Sequence, residues 1–302
     1  MKHKFILATG LIFLLTGVLS GCAGQTSAVL VNTLTYDAAD FQSLRFDYDA
    51  DDIYVLKSDN DKIVVKEYMN EDQKKYYART NAQDGELLIT EGERPRRSGF
   101  KAYLEIYIPV DYKSNLSLHS TTGTINSAVA LNLSGIFSVD TTSGIIEVSN
   151  TKTAKIKATS TNGTLKFENI EAGEISVQAT NATTVMDQVS GTINYQSKEG
   201  GLTATGISGS GSFYASGNGV IDLSFTNVKS DISAYSKNGT LTITLPSDLD
   251  FKFSALTREG TIDSSFADEL TITDNTAIGD VGASPDITVE LETRNGDIKV
   301  ER

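Results

Sequence analysis

The chain has 302 residues, and its 26 Lys and Arg against 39 Asp and Glu give a formal net charge of −13, which favours solubility and argues against nucleic acid as a partner. One cysteine excludes a disulfide, and two histidines are too few for a histidine-based triad or metal site. Tryptophan is absent while Ser, Thr, Asn and Gly are abundant, a composition of β-rich surface proteins rather than helical ones.

In chain order, Lys2 and Lys4 precede the apolar run 5–19, the layout of a secretory signal peptide. The run is shorter than the ~20 residues that span a bilayer. Leu19-Ser20-Gly21-Cys22 then resembles the lipobox of bacterial lipoproteins, in which the cysteine receives a diacylglycerol thioether and becomes the new amino terminus. The resemblance implies removal of the signal peptide 1–21, lipidation of Cys22 and anchoring at the extracytoplasmic face of the cell membrane. A thiol is the side chain nucleophilic enough to take the lipid. Residues 22–35 are expected to form the lipidated N-terminus and a short polar tether.

Residues 36–115 read as an antiparallel β region. FQSLRFDYD, DIYVLKS, KIVVKEYM, ELLIT and FKAYLEIYIP alternate apolar and polar residues, with turn signals such as Asp59-Asn60-Asp61 and Asp84-Gly85 between them.

From 116 to 302 one turn recurs about every 20 residues: HSTTGTIN, ATSTNGTLKF, YSKNGTLTI, ALTREGTID, ETRNGDIKV. Aligned on Gly123, Gly144, Gly163, Ala182, Gly200, Gly219, Gly239, Gly260 and Gly296, the position two residues on is apolar in every copy except at Thr184. The position seven residues back is apolar in every copy except at Ser212. Three residues before the glycine stand Ser120, Thr141, Ser160, Ala179, Ser197, Ser216, Ser236, Thr257 and Thr293, and Asn is frequent just before it. Independent hairpins give no reason to keep one residue type at such positions. A coil stacked on its neighbour at ~4.8 Å does, because like side chains then form ladders. The expected fold is all-β, a β-solenoid (β-helix-like) of about nine 20-residue coils preceded by the antiparallel region. The glycine is expected to supply φ > 0 at the corner. A local bulge or weakened coil is expected around Ala179, Ala182 and Thr184, and a coil whose turn is replaced by a longer loop between Gly260 and Gly296.

With its lipobox, alternating N-terminal strands, T-x-x-G-x-I repeats and closing TRNGDIKV, the sequence resembles the "putative adhesin" family of bacterial envelope proteins, a domain of unknown function, over roughly 41–300. The resemblance implies an exported or membrane-tethered β-solenoid with no defined catalytic residue.

The residues themselves offer little chemistry. His119 alternates with Leu118 and Ser120 as a surface strand residue. Asp47, Asp49, Asp51, Asp52, Asp59 and Asp61 carry oxygen ligands, but their spacing departs from the EF-hand and nonapeptide calcium loops, so no metal is assigned. The column three past the glycine, from Asn126, Glu147 and Lys166 to Asp263 and Lys299, mixes charges like a solvated face rather than aligning carboxylates as in a solenoid glycosidase. The one basic island, ERPRRSGFK, carries Arg94, Arg96, Arg97 and Lys101, and its guanidinium groups suit phosphate or headgroup binding. The sequence therefore reads as a non-enzymatic, cofactor-free, lipid-anchored envelope protein that binds a wall polymer, glycan or protein and no nucleic acid. The alternative is an envelope-stress signalling accessory acting through a membrane partner.

Overall fold

A computed structural model describes residues 27–302; the signal segment and Cys22 lie outside the described residues. The strands are β1 (Val29–Asp37), β2 (Ser43–Tyr48), β3 (Asp52–Lys57), β4 (Lys62–Met69), β5 (Arg79–Gln83), β6 (Glu86–Thr90), β7 (Ala102–Ile108), β8 (Asn115–Ser120), β9 (Thr124–Ser127), β10 (Leu131–Asn132) and β11 (Ile136–Thr141). They continue with the long β12 (Ile145–Ser160), β13 (Thr164–Ala179), β14 (Thr183–Ser197), β15 (Leu202–Ala215) and β16 (Ile221–Ser236). Last come β17 (Leu241–Thr244), β18 (Phe251–Leu256), β19 (Ile262–Ser264), β20 (Thr271–Ile272), β21 (Thr276–Val281), β22 (Ile287–Thr293) and β23 (Ile298–Glu301).

Parallel pairing between coils builds two long faces. Strand segments preceding the turns form the first, in the order β6, β2, β8, β11, the C-terminal parts of β12 to β16, then β22 and β18. Segments following the turns form the second, in the order β7, β3, β9, the N-terminal parts of β12 to β16, then β17, β23 and β19. This is the expected β-solenoid. Its inward columns stack in register: Ile53, Ile125, Ile146, Leu165, Thr184, Leu202, Ile221, Leu241, Ile298 and Ile262 succeed one another along the axis. All are buried except the half-buried Ile262 at the end of the stack.

The turn glycines have a different physical role from the one expected. None of them has positive φ; at the second corner, inside β12 to β15, left-handed residues do occur, Asn150, Asn169 and Gln188 (φ 52, 54 and 52°) and Gly206 (φ 67°). At the turn the requirement is space. A Cβ on Gly144 would overlap the carbonyl oxygen of Gly123, one on Gly163 that of Gly144, and one on Gly239 that of Gly219. The hydroxyl column closes the same turns: Ser120 Oγ accepts from Gly123 N–H at 3.1 Å and donates to Asp51 C=O at 2.8 Å, and Ser236 Oγ accepts from Gly239 N–H at 2.9 Å and donates to Gly219 C=O at 2.8 Å. Outside, amides bond along the axis, Asn238 Nδ2 to Asn218 Oδ1 at 2.9 Å and Asn295 Nδ2 to Asn238 Oδ1 at 2.7 Å.

Several local expectations change. Residues 29–35, expected as part of a tether, are strand instead, because Val29–Asp37 forms β1 and pairs antiparallel with β4. Within 36–115, β4–β7 and β5–β6 are antiparallel as expected, but β2 and β3 pair in parallel with β8 and β9, making this region the first levels of the solenoid. The residues stacked between Ser197 and Ser236, and between Ile193 and Ile232, are Ala215 and Gly211 rather than Ser216 and Ser212. The turn 216–219 holds one extra residue, and Gly217 and Gly219 in sequence conceal the slip. Around Ala179, Ala182 and Thr184 the coil is intact, with Ser160 opposite Ala179 and Leu165 opposite Thr184. Near the C-terminus the coils leave chain order: β22–β23 lies between β16–β17 and β18–β19, so Gly296 packs on Gly239 and Gly260 packs on Gly296. Antiparallel β21 and β20 then cover the exposed edge of β18.

Replacing Gly239 by Ala should cost about 1–3 kcal/mol through overpacking against Gly219, although φ is ordinary there. Gly201→Ala, whose new Cβ would meet Val220 C=O at 3.3 Å, should cost clearly less. Thermal melts of the two variants test the space argument, and equal melting temperatures would refute it.

Candidate functional site

The basic island forms part of a cleft of about 740 Å³ at the N-terminal end of the rod, bordered also by Ser27 and Ala28. Its four charges do not act together. Arg94 is 3% exposed at its side chain and pairs with Asp51 and Glu67, and its Nε donates to Tyr76 C=O at 3.2 Å. Glu67 Oε2 also accepts from Asn32 Nδ2 at 2.7 Å and Ala78 N–H at 2.9 Å. Burial brings the Arg94 guanidinium down to about 10, still charged at neutral pH, and burial pushes the Glu67 carboxyl up. The Tyr48 ring, itself buried, lies 5.3 Å from the guanidinium carbon. Arg94 therefore fastens β1, β4 and the loop after Tyr76 to the β2–β3 turn, and is not part of an anion-binding surface. Arg96 is exposed and paired with Asp49 at 2.7 Å, and Arg97 is paired with Glu71. Lys101 lines the same cleft.

Three aspartates of the first acidic turn are each held by a different partner. Asp51 holds Arg94, Asp49 holds Arg96, and Asp52 Oδ1 accepts from Thr124 N–H at 2.7 Å. Among the described residues no group of three or more His, Cys, Asp or Glu is placed to hold a metal ion. His119 lies on the first face between Asp47 and Asp140 of the neighbouring strands, an arrangement that only stacking reveals. Its Nε2 is 3.4 Å from Thr121 Oγ1. Asp59 and Asp61 border a separate cleft of about 700 Å³ with Phe41, Val110 and Tyr112.

The outward side of the first face is a different kind of surface. One row along the axis runs Thr159, Gln178, Gln196, Tyr214, Tyr235, Glu292, and the row beside it runs Lys157, Ser176, Asn194, Ser212, Ser233, Glu290. The Tyr214 and Tyr235 rings stack at a centroid distance of 5.0 Å and an interplanar angle of 15°. Sequence reasoning missed this pair because Tyr235 stands four residues before its turn glycine and Tyr214 five. Correcting the extra residue in the 216–219 turn would have aligned them. The second face carries a tyrosine cluster at its N-terminal end: Tyr68 stacks on Tyr103 at 4.5 Å, and the Tyr68 and Tyr107 hydroxyls donate to Glu105 Oε2 at 2.9 and 2.8 Å. Burial and the Glu105 carboxylate push the Tyr68 phenol up to about 12.

Removing one member of the Arg94 cluster leaves buried carboxylates without a cation, so Arg94→Ala should destabilise the chain by about 3–5 kcal/mol. Arg96→Ala, at an exposed pair, should stay within about 1 kcal/mol of the parent. Urea midpoints of the two variants check this, and similar midpoints would show that Arg94 does not fasten the cap.

No curated protein sequence matches this chain. Several solved structures align with it over most of its length, three of them as follows. A "putative cell adhesion protein" from Clostridium sporogenes is 12% identical, with 89% of this chain and 97% of that one covered and a TM-score of 0.32. A "putative adhesin" from Bacteroides fragilis is 14% identical, with 89% and 96% covered and a TM-score of 0.41. A "putative lipid binding protein" from Parabacteroides distasonis is 12% identical, with 90% and 96% covered and a TM-score of 0.44. Residues 41–301, nearly the whole described rod, match the sequence profile of the family described as Toastrack DUF4097, and the chain belongs to that family.

Proposed function

We propose that this chain is a non-enzymatic, lipid-anchored module of the cell envelope whose solenoid recognises a wall glycan or protein on an open face. The observation that carries the reading is the first face itself, where parallel strands hold polar and aromatic side chains in straight rows along the rod. Rigid in-register strands present such groups without paying the ordering entropy of a flexible loop. The N-terminal end fits a membrane attachment. Ser27 borders the cleft at that end of the rod, and five residues from Cys22 span at most roughly 18 Å. In this reading Cys22 carries the lipid, Arg96, Arg97 and Lys101 stand beside the tether, and the recognition face extends away from the membrane.

Two fractionations test it. The native chain should partition with membranes and Cys22→Ser should be released into the soluble fraction; a variant that stays with the membrane refutes the lipid anchor. The purified full chain should co-sediment saturably with a cell-wall fraction, and Arg96→Ser with Arg97→Ser should leave that binding unchanged. Absence of saturable binding refutes surface recognition.

A further inference from the structure

On the first face, the four levels from Gln178 to Tyr235 carry no charge in these two rows, although the chain as a whole has a formal net charge of −13; beside them, Glu174 pairs with Lys155 and accepts from Asn194 Nδ2 at 3.2 Å. Lys157 bounds this block on one side and Glu290 with Glu292 on the other. Its side chains are hydroxyls, amides and two phenols, groups that both donate and accept hydrogen bonds. Sugar hydroxyls do the same. An uncharged face demands no ion desolvation when a neutral ligand covers it, and it offers no countercharge to an anionic polymer. The levels repeat at ~4.8 Å along the axis, close to the length of one sugar unit in an extended glycan. Tyr214 is 45% exposed, so the stacked pair gives the block an aromatic end wall whose π surface attracts the C–H edge of a pyranose.

We propose that this block binds a neutral polysaccharide lying along the rod, about one sugar unit per coil. The proposal rests on the surface-recognition reading and specifies its ligand and its site. Gln178 and Gln196 bond successive sugar hydroxyls, and Tyr214 with Tyr235 packs against a ring at the end of the bound segment. Acidic wall polymers are repelled by Glu174 beside Asn194 and by Glu290 and Glu292 at the border of the block.

The test is calorimetric titration of the purified full chain with a neutral hexasaccharide of N-acetylglucosamine, a neutral glucan hexasaccharide, and polygalacturonate as the anionic comparison. At least one neutral hexasaccharide is expected to bind saturably. Tyr214→Ala with Tyr235→Ala should weaken that binding at least tenfold, and so should Gln196→Glu, which adds charge at nearly constant volume. Melting temperatures of both variants verify that the rod is intact. Unchanged affinity in folded variants overturns the site. Binding of polygalacturonate alone overturns the ligand class. Failure of both neutral oligomers while the wall fraction still sediments the chain overturns this proposal and leaves surface recognition standing; failure of both assays overturns the two together.

Discussion

The close approach of each turn to the turn beneath it is the constraint on which the rod depends. Parallel strands hydrogen-bond only at a fixed spacing of ~4.8 Å, and the turn joining the two faces must keep the same rise. At Gly144, Gly163 and Gly239 the backbone meets this by bringing a Cα against the carbonyl oxygen of the previous turn, a place where a side chain has no room. Once that column is seated, both faces fall into register. Apolar columns then stack Ile on Ile and Leu on Leu, and burial of the shared core supplies most of the stabilisation.

The polar parts of the coil follow from the same seating. A turn folded into the rod brings an amide and a carbonyl away from water, and each must find a partner. The buried hydroxyl column answers both needs at once, accepting from the glycine N–H of its own turn and donating to a carbonyl of the neighbouring turn, as Ser120, Ser236 and Thr257 do. Where Ala215 replaces a hydroxyl, its Cβ lies against the turn at Gly219 instead. At the N-terminal end the stack meets a cap, and there the device changes from repeated neutral groups to one buried cluster of charges around Arg94.

The repeat itself was legible because its period is short and most copies keep the same residue types at the same distances from the turn. Apolar residues two after and seven before each glycine, with Ser or Thr three before it, specify a stacked coil and place His119 on a strand. Three things were not legible. Positive φ and close approach both select glycine, so residue type alone could not separate them, and the left-handed corner turned out to use Asn150, Asn169 and Gln188. The burial of Arg94 depends on Asp51 and Glu67, distant in sequence and brought together only by the cap. The order of the last coils was hidden because every coil carries the same inward pattern; nothing in Val289 or Ile298 says which neighbour each will meet.

That last ambiguity bears on how the chain comes to be folded. During synthesis the earlier coils can add one on another as they emerge, N-terminal parts first. The level of β18–β19 does not rest on β16–β17, because its neighbour in the stack is β22–β23, which follows it in sequence. The level of β18–β19 therefore waits for β22–β23, which enters between two levels already made, like a keystone set last. Until β22–β23 is seated, β16–β17 and β18–β19 each present an unpaired parallel edge, so one late segment protects two sheet edges at once.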